Sequence, residues 1–532
     1  MTLLIIAFCA CAVIAAANVG MEYARDLMML QQNSYRSERY RSWLRQSGDT
    51  TSVTRLLGMA VFLVTMVTWA TTDWAMAMVL IFCVCNTMML AKAKYKKPLV
   101  WTPRVKRLMT VMCLISLIVA AAAAAIFGHR DLLTTLFAIT IALQGLYCAS
   151  HLVTLSALFI LGPVEKHINQ GFIDDAKRIL RSMPGLTIIG VTGSYGKTST
   201  KHYLQRILSE KYDTLMTPGS FNTPLGVVRT VREHLKPYNE VFIVEMGAKN
   251  LGDIKEICDI VNPTIGIVTA VGPQHLESFK TIDNVCRTKF ELIDALPADG
   301  LGVINDDFAP AAARKVTNVP VVRYAVRDIN GAQVTARDIT YDAFGTTFTI
   351  AGPDWVMRLR TRLVGECNIS NLMAAVIVAR HLGVPDEKIR IAVEHIEQVE
   401  HRLNLKRTPG GITIIDDAFN SNPTGSAMAL DVLASMTGGK RIVITPGMIE
   451  LGDRQEELNR DFGKKIASSV DVAIVVGHYN RDAILSGITE GGLNESAVHA
   501  VESFSEAQEL LTAIARQGDT VLYENDLPDT FK

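Results

Sequence analysis

The stretch TGSYGKT, residues 192–198, decides how the second part of this sequence folds. It follows a short apolar run, Leu186–Val191, which predicts a buried strand, and it precedes a helical pattern over Ser199–Lys211. A strand, a glycine-rich turn, Lys-Thr and a helix are the parts of a phosphate-binding loop, in which backbone N–H groups and a helix N-terminus hold phosphate. Lys197 would then reach the outer phosphates, and Thr198 could bind magnesium.

The spacing of this loop departs from the usual Walker pattern, because Val191 stands where the first glycine of that pattern should be. Short glycine-rich matches also arise by chance. The prediction of a phosphate site therefore depends on the position of the loop between a strand and a helix.

Alternating strands and helices follow the loop. Val241–Val244 leads to Glu245, Ile265–Val268 leads to Thr269, and a third apolar run ends at Ile304. This alternation predicts an α/β domain with a parallel sheet, in which ligands meet the carboxyl ends of the strands. Glu245 would there be a magnesium ligand, and the alternative is an ordinary surface acid.

A long apolar region precedes the α/β part. The 532 residues include 53 Lys and Arg and 53 Asp and Glu, so the net charge does not favour nucleic acid as a partner. The mean hydropathy of +0.22 is high, and the apolar excess lies before residue 163. Six of the nine cysteines lie there as small hydrophobic residues, and the scattered remainder fits a reduced, cytosolic soluble part.

Five segments of this region predict transmembrane helices, since a span needs about 20 mostly apolar residues. They are Leu3–Met21, Leu56–Thr71, Trp74–Ala91, Leu108–Phe127 and Leu132–Leu161. Residues 71–73 predict a tight turn between the second and third spans. Gly162-Pro163 predicts a break, after which residues 163–184 form an amphipathic linker helix.

The orientation follows from the basic loops after the first and third segments, because such loops face the cytoplasm. We therefore predict a multi-pass protein of the cell (cytoplasmic) membrane, with its N-terminus outside and residues after Gly162 in the cytoplasm. A cleaved signal peptide is the alternative for the first segment, which lacks a basic start. Gln31–Leu44 predicts either a helix lying at the membrane surface or a solvated loop.

The soluble part resembles the Mur ligase family, and most of all the members that join D-alanyl-D-alanine to a muramoyl tripeptide. The resemblance runs from Gly185 to near the C-terminus and rests on the order of several motifs. They are TGSYGKTST (192–200), GSFNTPLGV (219–227), VEMGA (244–248), VGPQHLESF (271–279), RTKFE (287–291), VINDD (303–307), HRL (401–403), IDDAFNSNP (415–423) and GMIELG (447–452).

The resemblance implies an ATP-dependent peptide ligase that works through an acyl phosphate, in cell-wall peptide synthesis. It implies one magnesium ion on Thr198 and Glu245, and a second on His275 and on a carbamate that CO2 forms on Lys289. The catalytic residues would be Lys197, Lys289, His275 and Glu245. The plainer alternatives are a turn histidine at His275 and a surface lysine at Lys289.

The resemblance also implies which residues of this sequence bind the nucleotide. They would be Gly193, Ser194, Gly196, Lys197, Thr198, Ser199, Asn222, Thr223, Asn368, Arg402, Asp417, Asn420, Asn422 and Pro423. Asn222 and Thr223 would approach the phosphates or the substrate carboxylate. Asn371 belongs to the same stretch as Asn368, and Cys367 stands where a histidine is commoner in the family.

The implied domains are a transmembrane region (1–162), the linker helix (163–184), a P-loop-type central ATP-binding domain (185–400) and a smaller Rossmann-like C-terminal domain (401–532). Two features depart from the family. Residues 163–184 are too few for its UDP-binding domain, and the chain ends in the acidic stretch Val521–Asp529, where the family is basic. We therefore predict an acceptor held at the membrane and linked to UDP or lipid. The acidic end would favour a cationic amine.

Three other functions fit parts of the sequence. A polyglutamate-type or other amino-acid ligase of the same superfamily would share the motifs. A membrane scaffold could bind ATP without ligating anything, but Lys197, Glu245 and Lys289 are intact. An ATP-driven transporter would need a typical Walker spacing, which the sequence lacks. Peptide substrates, the membrane and cell-wall synthesis proteins are the predicted partners.

Overall fold

The computed structural model describes residues 2–67, 72–93, 95, 97–327, 331–342, 345–419 and 421–526. The chain forms two compact units, one up to Asn169 and the other Gln170–Asp526.

The first unit is helical. Its helices are α1 (Thr2–Gln32), α2 (Ser37–Gln46), α3 (Val53–Val67), α4 (Thr72–Lys92), α5 (Pro103–Phe127), α6 (Leu132–Cys148) and α7 (Ser150–Arg181), with one 3-10 turn at Asp49–Thr51. The end of α7 belongs to the second unit. Helix α5 begins where the Thr102 hydroxyl accepts a hydrogen bond from the backbone N–H of Val105, ahead of Pro103.

In the described residues, three helices are long and apolar enough to cross a membrane: α1, α4 and α5. Helices α6 and α7 would make a fourth span together, although they are bent by 77°. Helix α3 has 15 residues, and the end of the segment predicted as the second span lies outside the described residues. The prediction that Leu132–Leu161 is one helix is wrong, because the chain breaks at Ala149.

Two other predicted breaks are also corrected. Helix α7 runs through Gly162 and Pro163, where the sequence predicted its end. A proline removes one backbone hydrogen bond, and the neighbouring bonds carry the helix past it. Thr72 and Asp73 lie in the first turn of α4 rather than in a hairpin turn, and Thr71 is outside the described residues.

A network of charged side chains lies inside the first unit. Arg55 donates hydrogen bonds to Glu22 (2.6 Å) and to the carbonyl of Tyr147 (2.6 Å). Ser150 donates to Asp26 at 2.6 Å. Because these charges are paired, the apolar unit can bury them. The segment Gln31–Leu44, predicted as a membrane-surface helix or a solvated loop, contains most of α2, whose Tyr40 and Trp43 are buried in this unit.

The second unit contains two sheets. Among the described residues, nine strands form the first, in the order β2-β3-β1-β4-β5-β6-β7-β8-β9. They are β1 (Thr187–Thr192), β2 (Thr214–Met216), β3 (Val241–Glu245), β4 (Ile265–Val268), β5 (Leu301–Asn305), β6 (Val321–Ala325), β7 (Val334–Asp342), β8 (Gly345–Ala351) and β9 (Val356–Thr361). In this order, neighbouring strands from β2 through β7 pair in parallel. Strand β8 pairs antiparallel with both β7 and β9. Successive residues of β3, such as Phe242 and Ile243, pack into different hydrophobic clusters, so both faces of the sheet are covered.

The second sheet has the order β10-β11-β15-β12-β13-β14, and only β10 is antiparallel within its described pairs. Its strands are β10 (Asn404–Arg407), β11 (Thr413–Asp417), β12 (Arg441–Thr445), β13 (Val472–Val476), β14 (Val498–Val501) and β15 (Thr520–Glu524). The predicted α/β fold of the soluble part is therefore confirmed.

Helices cover both sheets. They are α8 (Lys197–Leu208), α9 (Pro224–Glu233), α10 (Asp253–Val261), α11 (Leu276–Phe279), α12 (Ile282–Asp294), α13 (Ala309–Ala312), α14 (Glu366–His381), α15 (Asp386–Glu394), α16 (Pro423–Ala434), α17 (Gln455–Ser469), α18 (Arg481–Glu490) and α19 (Phe504–Ile514). Short 3-10 turns occur at Gly452–Arg454 and Glu495–Ala497.

Candidate nucleotide and ligation site

The predicted phosphate loop joins β1 to α8. Gly193 and Gly196 have φ of +151° and +78°, which L residues rarely adopt. A Cβ on Gly196 would lie 2.3 Å from Oδ1 of Asn371, so the loop passes against α14. Ser194 donates to the carbonyl of Gly272 at 3.0 Å, which ties the loop to the segment after β4. The loop is thus held by contacts that only glycine permits.

Lys197 begins α8 and folds back over the loop. Its Nζ donates to the carbonyls of Gly193 (2.6 Å) and Ser194 (3.2 Å). Burial is the main reason that the pKa of Lys197 is lowered to about 8. The charge of Glu245 opposes this shift, and the charge of Arg402 adds to it. The ammonium is therefore held where phosphate oxygens could replace two carbonyls. Thr198 and Ser199 follow in the first turn of the helix.

Glu245 ends β3 and is 1% exposed, so the alternative of a surface acid is wrong. One carboxylate oxygen lies 3.0 Å from Nζ of Lys201, and the other accepts a 3.0 Å hydrogen bond from Asn222. Burial raises the pKa of Glu245, but the ammonium groups of Lys201 and Lys197 override it, and the pKa is lowered. Glu245 is therefore a buried carboxylate that keeps its charge.

Asn222 thus orients Glu245, while its neighbour Thr223 has a backbone role. The Thr223 hydroxyl accepts a 3.3 Å hydrogen bond from the N–H of Gly226 and caps α9. The side chain of Lys201 was not predicted as part of the site. It is 0% exposed and donates to the carbonyls of Thr217 (2.9 Å) and Gly219 (2.7 Å).

His275 lies before the short helix α11 with φ of +53°. Its Nδ1 contacts Oε2 of Glu450, and Oε1 of Glu450 lies 2.5 Å from Nζ of Lys249. Burial lowers the pKa of His275, although Glu450 opposes this. Burial would raise the pKa of Glu450, but His275 and Lys249 hold it well below its usual range. Neither Glu450 nor Lys249 was predicted as a site residue, although they lie in or beside quoted motifs.

Lys289 is 1% exposed in α12, so the alternative of a surface lysine is wrong. Its Nζ lies 5.9 Å from the centre of the Phe279 ring. Within the described ranges no carboxylate forms a salt bridge with it. Burial, and then the charge of Lys197, lowers the pKa of Lys289 well below its usual value. The lowered pKa favours the uncharged amine, which is the form that reacts with CO2.

Arg402 and Asp417 belong to the second sheet's part of the unit. The Arg402 guanidinium stacks 4.4 Å from the centre of the Phe419 ring. Burial lowers the pKa of Arg402 and raises the pKa of Asp417 to about 6, while each opposes the shift of the other. Asp417 also accepts a 3.2 Å hydrogen bond from the N–H of Leu403. This basic and aromatic surface suits a nucleotide.

Three other predicted nucleotide residues lie nearby in the chain. Asn422 caps α16 by accepting a 2.8 Å hydrogen bond from the N–H of Gly425, and Pro423 opens that helix. Asn420 lies outside the described residues.

Both ends of the Asn368 amide already have partners. Its oxygen accepts from the hydroxyl of Tyr203 at 2.7 Å, and its nitrogen donates to the carbonyl of Val364 at 2.8 Å. Asn368 therefore braces α14 against α8. Asn371, one turn later, accepts from Thr200 at 3.1 Å and is the amide that touches the phosphate loop.

Comparisons with known proteins agree with this geometry. Residues 191–379 match the Mur ligase middle domain, and residues 401–523 match the Mur ligase glutamate ligase domain. The chain is similar to a UDP-N-acetylmuramoyl-tripeptide–D-alanyl-D-alanine ligase of Mycobacterium tuberculosis, with 33% identity over 361 residues, 64% of this chain and 70% of the relative. Its Bacillus subtilis counterpart is 28% identical over 354 residues, 66% of this chain and 75% of the relative.

A solved structure of MurF from Acinetobacter baumannii has a TM-score of 0.59 and 26% identity. The match covers 67% of this chain and 77% of that one. The chain therefore belongs to the Mur ligase family of ATP-dependent ligases.

Proposed function

We propose that this chain is a membrane-anchored ligase that joins an amine, D-alanyl-D-alanine or a relative of it, to the carboxylate of a peptidoglycan precursor. The electrostatic surroundings of Lys197 carry the proposal. Glu245 and Arg402 both shift its pKa, and Lys197 in turn lowers the pKa of Lys289. Lys197 of the phosphate loop is therefore close enough to Glu245, Arg402 and Lys289 to interact with each of them electrostatically.

The reaction has two steps. A carboxylate oxygen of the acceptor attacks the γ-phosphorus of ATP, the bond to the β-phosphate oxygen breaks, and ADP leaves. The amine nitrogen then attacks the acyl carbon, loses a proton, and expels inorganic phosphate. The protein positions these groups and neutralises their charge. Lys197 contributes a cation whose hydrogen bonds to the carbonyls of Gly193 and Ser194 can be replaced by hydrogen bonds to phosphate oxygens.

Magnesium and a lysine carbamate fit the residues present. The described residues contain no cluster of three or more His, Cys, Asp or Glu side chains that could hold a metal ion. Glu245 and Thr198 would therefore hold an ion only together with ATP phosphates, and His275 would need a second anionic ligand. Lys289 is buried and its pKa is lowered, which favours the amine form that could supply this ligand as a carbamate. Bound magnesium would neutralise charge on the phosphoryl group as it is transferred.

Membrane anchoring is supported by α1, α4 and α5, each long and apolar enough to span a bilayer. The basic loops flanking these segments favour a cytoplasmic ligase part. About a third of the chain lies outside the matched relatives, whose names specify a UDP-linked acceptor. We therefore include a lipid-linked form of the same peptide as an acceptor, since basic juxtamembrane loops can bind anionic head groups.

The charge of the incoming amine is inferred from the carboxyl end of β15, which carries Glu524. That side chain is 0% exposed and lies beside Asp417 in the parallel register of β11 and β15. We place the incoming amine near this strand end, where the two neighbouring carboxyl groups would disfavour an anionic group on it. A cationic amine is therefore the second candidate beside D-alanyl-D-alanine.

The test is phosphate release by the full-length protein in detergent with ATP, magnesium and bicarbonate. UDP-linked tripeptide and its lipid-linked counterpart are compared, each with D-alanyl-D-alanine, with L-lysine amide, or without amine. We expect release only when acceptor and amine are both present, and a mass increase of the acceptor equal to the amine less water.

Lys197→Ala and Lys289→Ala should abolish release, whereas Glu457→Gln, at an exposed ion pair with Arg454, should retain it. Binding of an ATP analogue without turnover of any pair would instead support the ATP-binding scaffold.

A further inference from the structure

We propose that Glu450 is a positioning residue that orients His275 toward the second metal ion of the ligation site. The inference rests on the proposed function, because it requires that His275 take part in metal binding. It also makes that metal position depend on both halves of the second unit, since His275 lies in the matched middle domain and Glu450 in the matched glutamate ligase domain.

The contacts of the Glu450 carboxylate assign this role. Oε2 contacts Nδ1 of His275, and Oε1 lies 2.5 Å from Nζ of Lys249. A carboxylate can only accept, so the hydrogen must reside on Nδ1 of the imidazole. The neutral ring then has its lone pair on Nε2, which becomes the nitrogen able to face a cation. Carboxylate–histidine–metal arrangements fix the tautomer and the ring direction in this way.

The backbone around Glu450 is held for this contact. Glu450 has φ of +62°, a left-handed conformation that non-glycine residues seldom adopt. Its carbonyl accepts a 3.2 Å hydrogen bond from the N–H of Glu277, two residues after His275. A Cβ on Gly452 would lie 3.2 Å from the Cα of Glu277, so this segment lies directly against α11. Such conformations persist where the surroundings enforce them, and they are common at functional sites.

A simple electrostatic latch is the competing explanation. In that case Glu450 would serve only to hold the two halves together through its ion pair with Lys249. The two explanations differ in what they require of the side chain. A latch needs the negative charge and Lys249, whereas orientation of His275 needs only an oxygen that accepts from Nδ1.

The experiment measures Mn2+ binding by electron paramagnetic resonance in the full-length protein, with a non-hydrolysable ATP analogue and bicarbonate and without turnover. We expect two bound ions in the wild type. Glu450→Ala should lower the affinity for the more weakly bound Mn2+ ion by at least about tenfold, which is the usual effect of losing a residue that orients a metal ligand. Glu450→Gln keeps an accepting oxygen and should stay within about threefold of the wild type. Lys249→Met should behave likewise, and Glu457→Gln is the control at an exposed acid.

Equal weakening in Glu450→Gln and Lys249→Met would establish the latch and overturn the proposal, even if Glu450→Ala did not fold. Unchanged Mn2+ binding in a folded Glu450→Ala would also overturn it. If the wild type bound only one ion, the second metal site in the proposed function would be contradicted. The role of Glu450 would then be contradicted as well. Two ions bound with wild-type affinity in every folded variant would overturn the role of Glu450 and leave the proposed function standing.

Discussion

Nζ of Lys201 lies 3.0 Å from Oε2 of Glu245, and neither side chain reaches solvent. The lysine comes from α8, one turn after Lys197, and the glutamate ends the neighbouring strand β3. A buried carboxylate beside the phosphate loop thus carries its own cation. The pair keeps Glu245 ionised in an apolar interior, where an unpaired charge would be very unfavourable.

Replacing Lys201 by methionine should therefore lower the free energy of unfolding by about 3–5 kcal/mol, because it leaves a buried carboxylate without its partner. It also removes the hydrogen bonds to the carbonyls of Thr217 and Gly219. Urea denaturation followed by circular dichroism measures the change.

The double variant Lys201→Met/Glu245→Gln controls for that loss of hydrogen bonds. It should recover part of the stability, since no charge is left unpaired. A Lys201→Met protein as stable as the wild type would mean that Glu245 is solvated or protonated in the folded state.

Gly196→Ala should weaken binding of an ATP analogue by at least about tenfold, or about 1.4 kcal/mol. The alanine would have to adopt φ of +78° with its Cβ 2.3 Å from Oδ1 of Asn371, so the loop or the Asn371 side chain that contacts it must shift. Gly185→Ala is the matched control, because it has no positive φ and nothing within 4 Å of its Cβ. Isothermal titration calorimetry measures both, and equal affinities would contradict the role given to the loop.

The phosphate loop could be predicted because its signal is local. A strand, glycines at fixed positions and a helix start lie within 20 residues, and the fold places Lys197 and Thr198 as that order requires. Glu245 was also predictable, since a polar residue ending a parallel strand lies at the ligand edge. Its partner Lys201 was not, because a lysine on a helix is ordinarily solvated.

Contacts between distant residues could not be read from one sequence. His275 and Glu450 are separated by 175 positions, and no local pattern pairs them. The helix break at Ala149 was missed for a different reason. Ala149 has no helix-breaking propensity, whereas Gly162-Pro163, which has a strong one, lies inside α7. Local helix propensity therefore predicts neither the break at Ala149 nor the continuous helix at Pro163.

Binding of an ATP analogue should weaken as the pH rises above about 8. Burial lowers the pKa of Lys197 to about that value in the free protein, so the ammonium is lost above it. The dissociation constant should increase about tenfold per pH unit there, as expected for one required proton. In Lys197→Arg the guanidinium keeps its charge, and the alkaline increase should disappear. A pH-independent constant between 7 and 10 in the wild type would contradict the prediction.

Lys289 should carry a carbamate when the protein is equilibrated with 13C-labelled bicarbonate. The reason is that burial and the charge of Lys197 hold the pKa of Lys289 well below its usual value, which favours the amine form that reacts with CO2. A 13C NMR signal in the carbamate region should appear in the wild type and be absent from Lys289→Arg. Lys255, an exposed lysine paired with Asp259, is the control, so Lys255→Arg should retain the signal.

Glu524→Gln should stabilise the protein at pH 8 and have little effect at pH 4.5. Burial and the charge of Asp417 raise the pKa of Glu524 well above its usual value. A carboxyl group with a raised pKa in the folded state opposes folding increasingly as pH rises from its unfolded value, near 4.5, through the folded one. One oxygen of Glu524 accepts from Ser421 at 2.6 Å, while Oε2 has no hydrogen-bond partner.

An uncharged amide at position 524 keeps the acceptor for Ser421 and removes the charge beside Asp417. The gain in the free energy of unfolding at pH 8 should be about 1–3 kcal/mol, the usual cost of an unsatisfied buried polar group. Thermal melting at both pH values measures it, and Glu457→Gln, at an exposed acid, should change neither. A loss of stability at pH 8 would contradict the prediction, because it would mean that the ionised Glu524 carboxylate is stabilised by a partner within the folded protein.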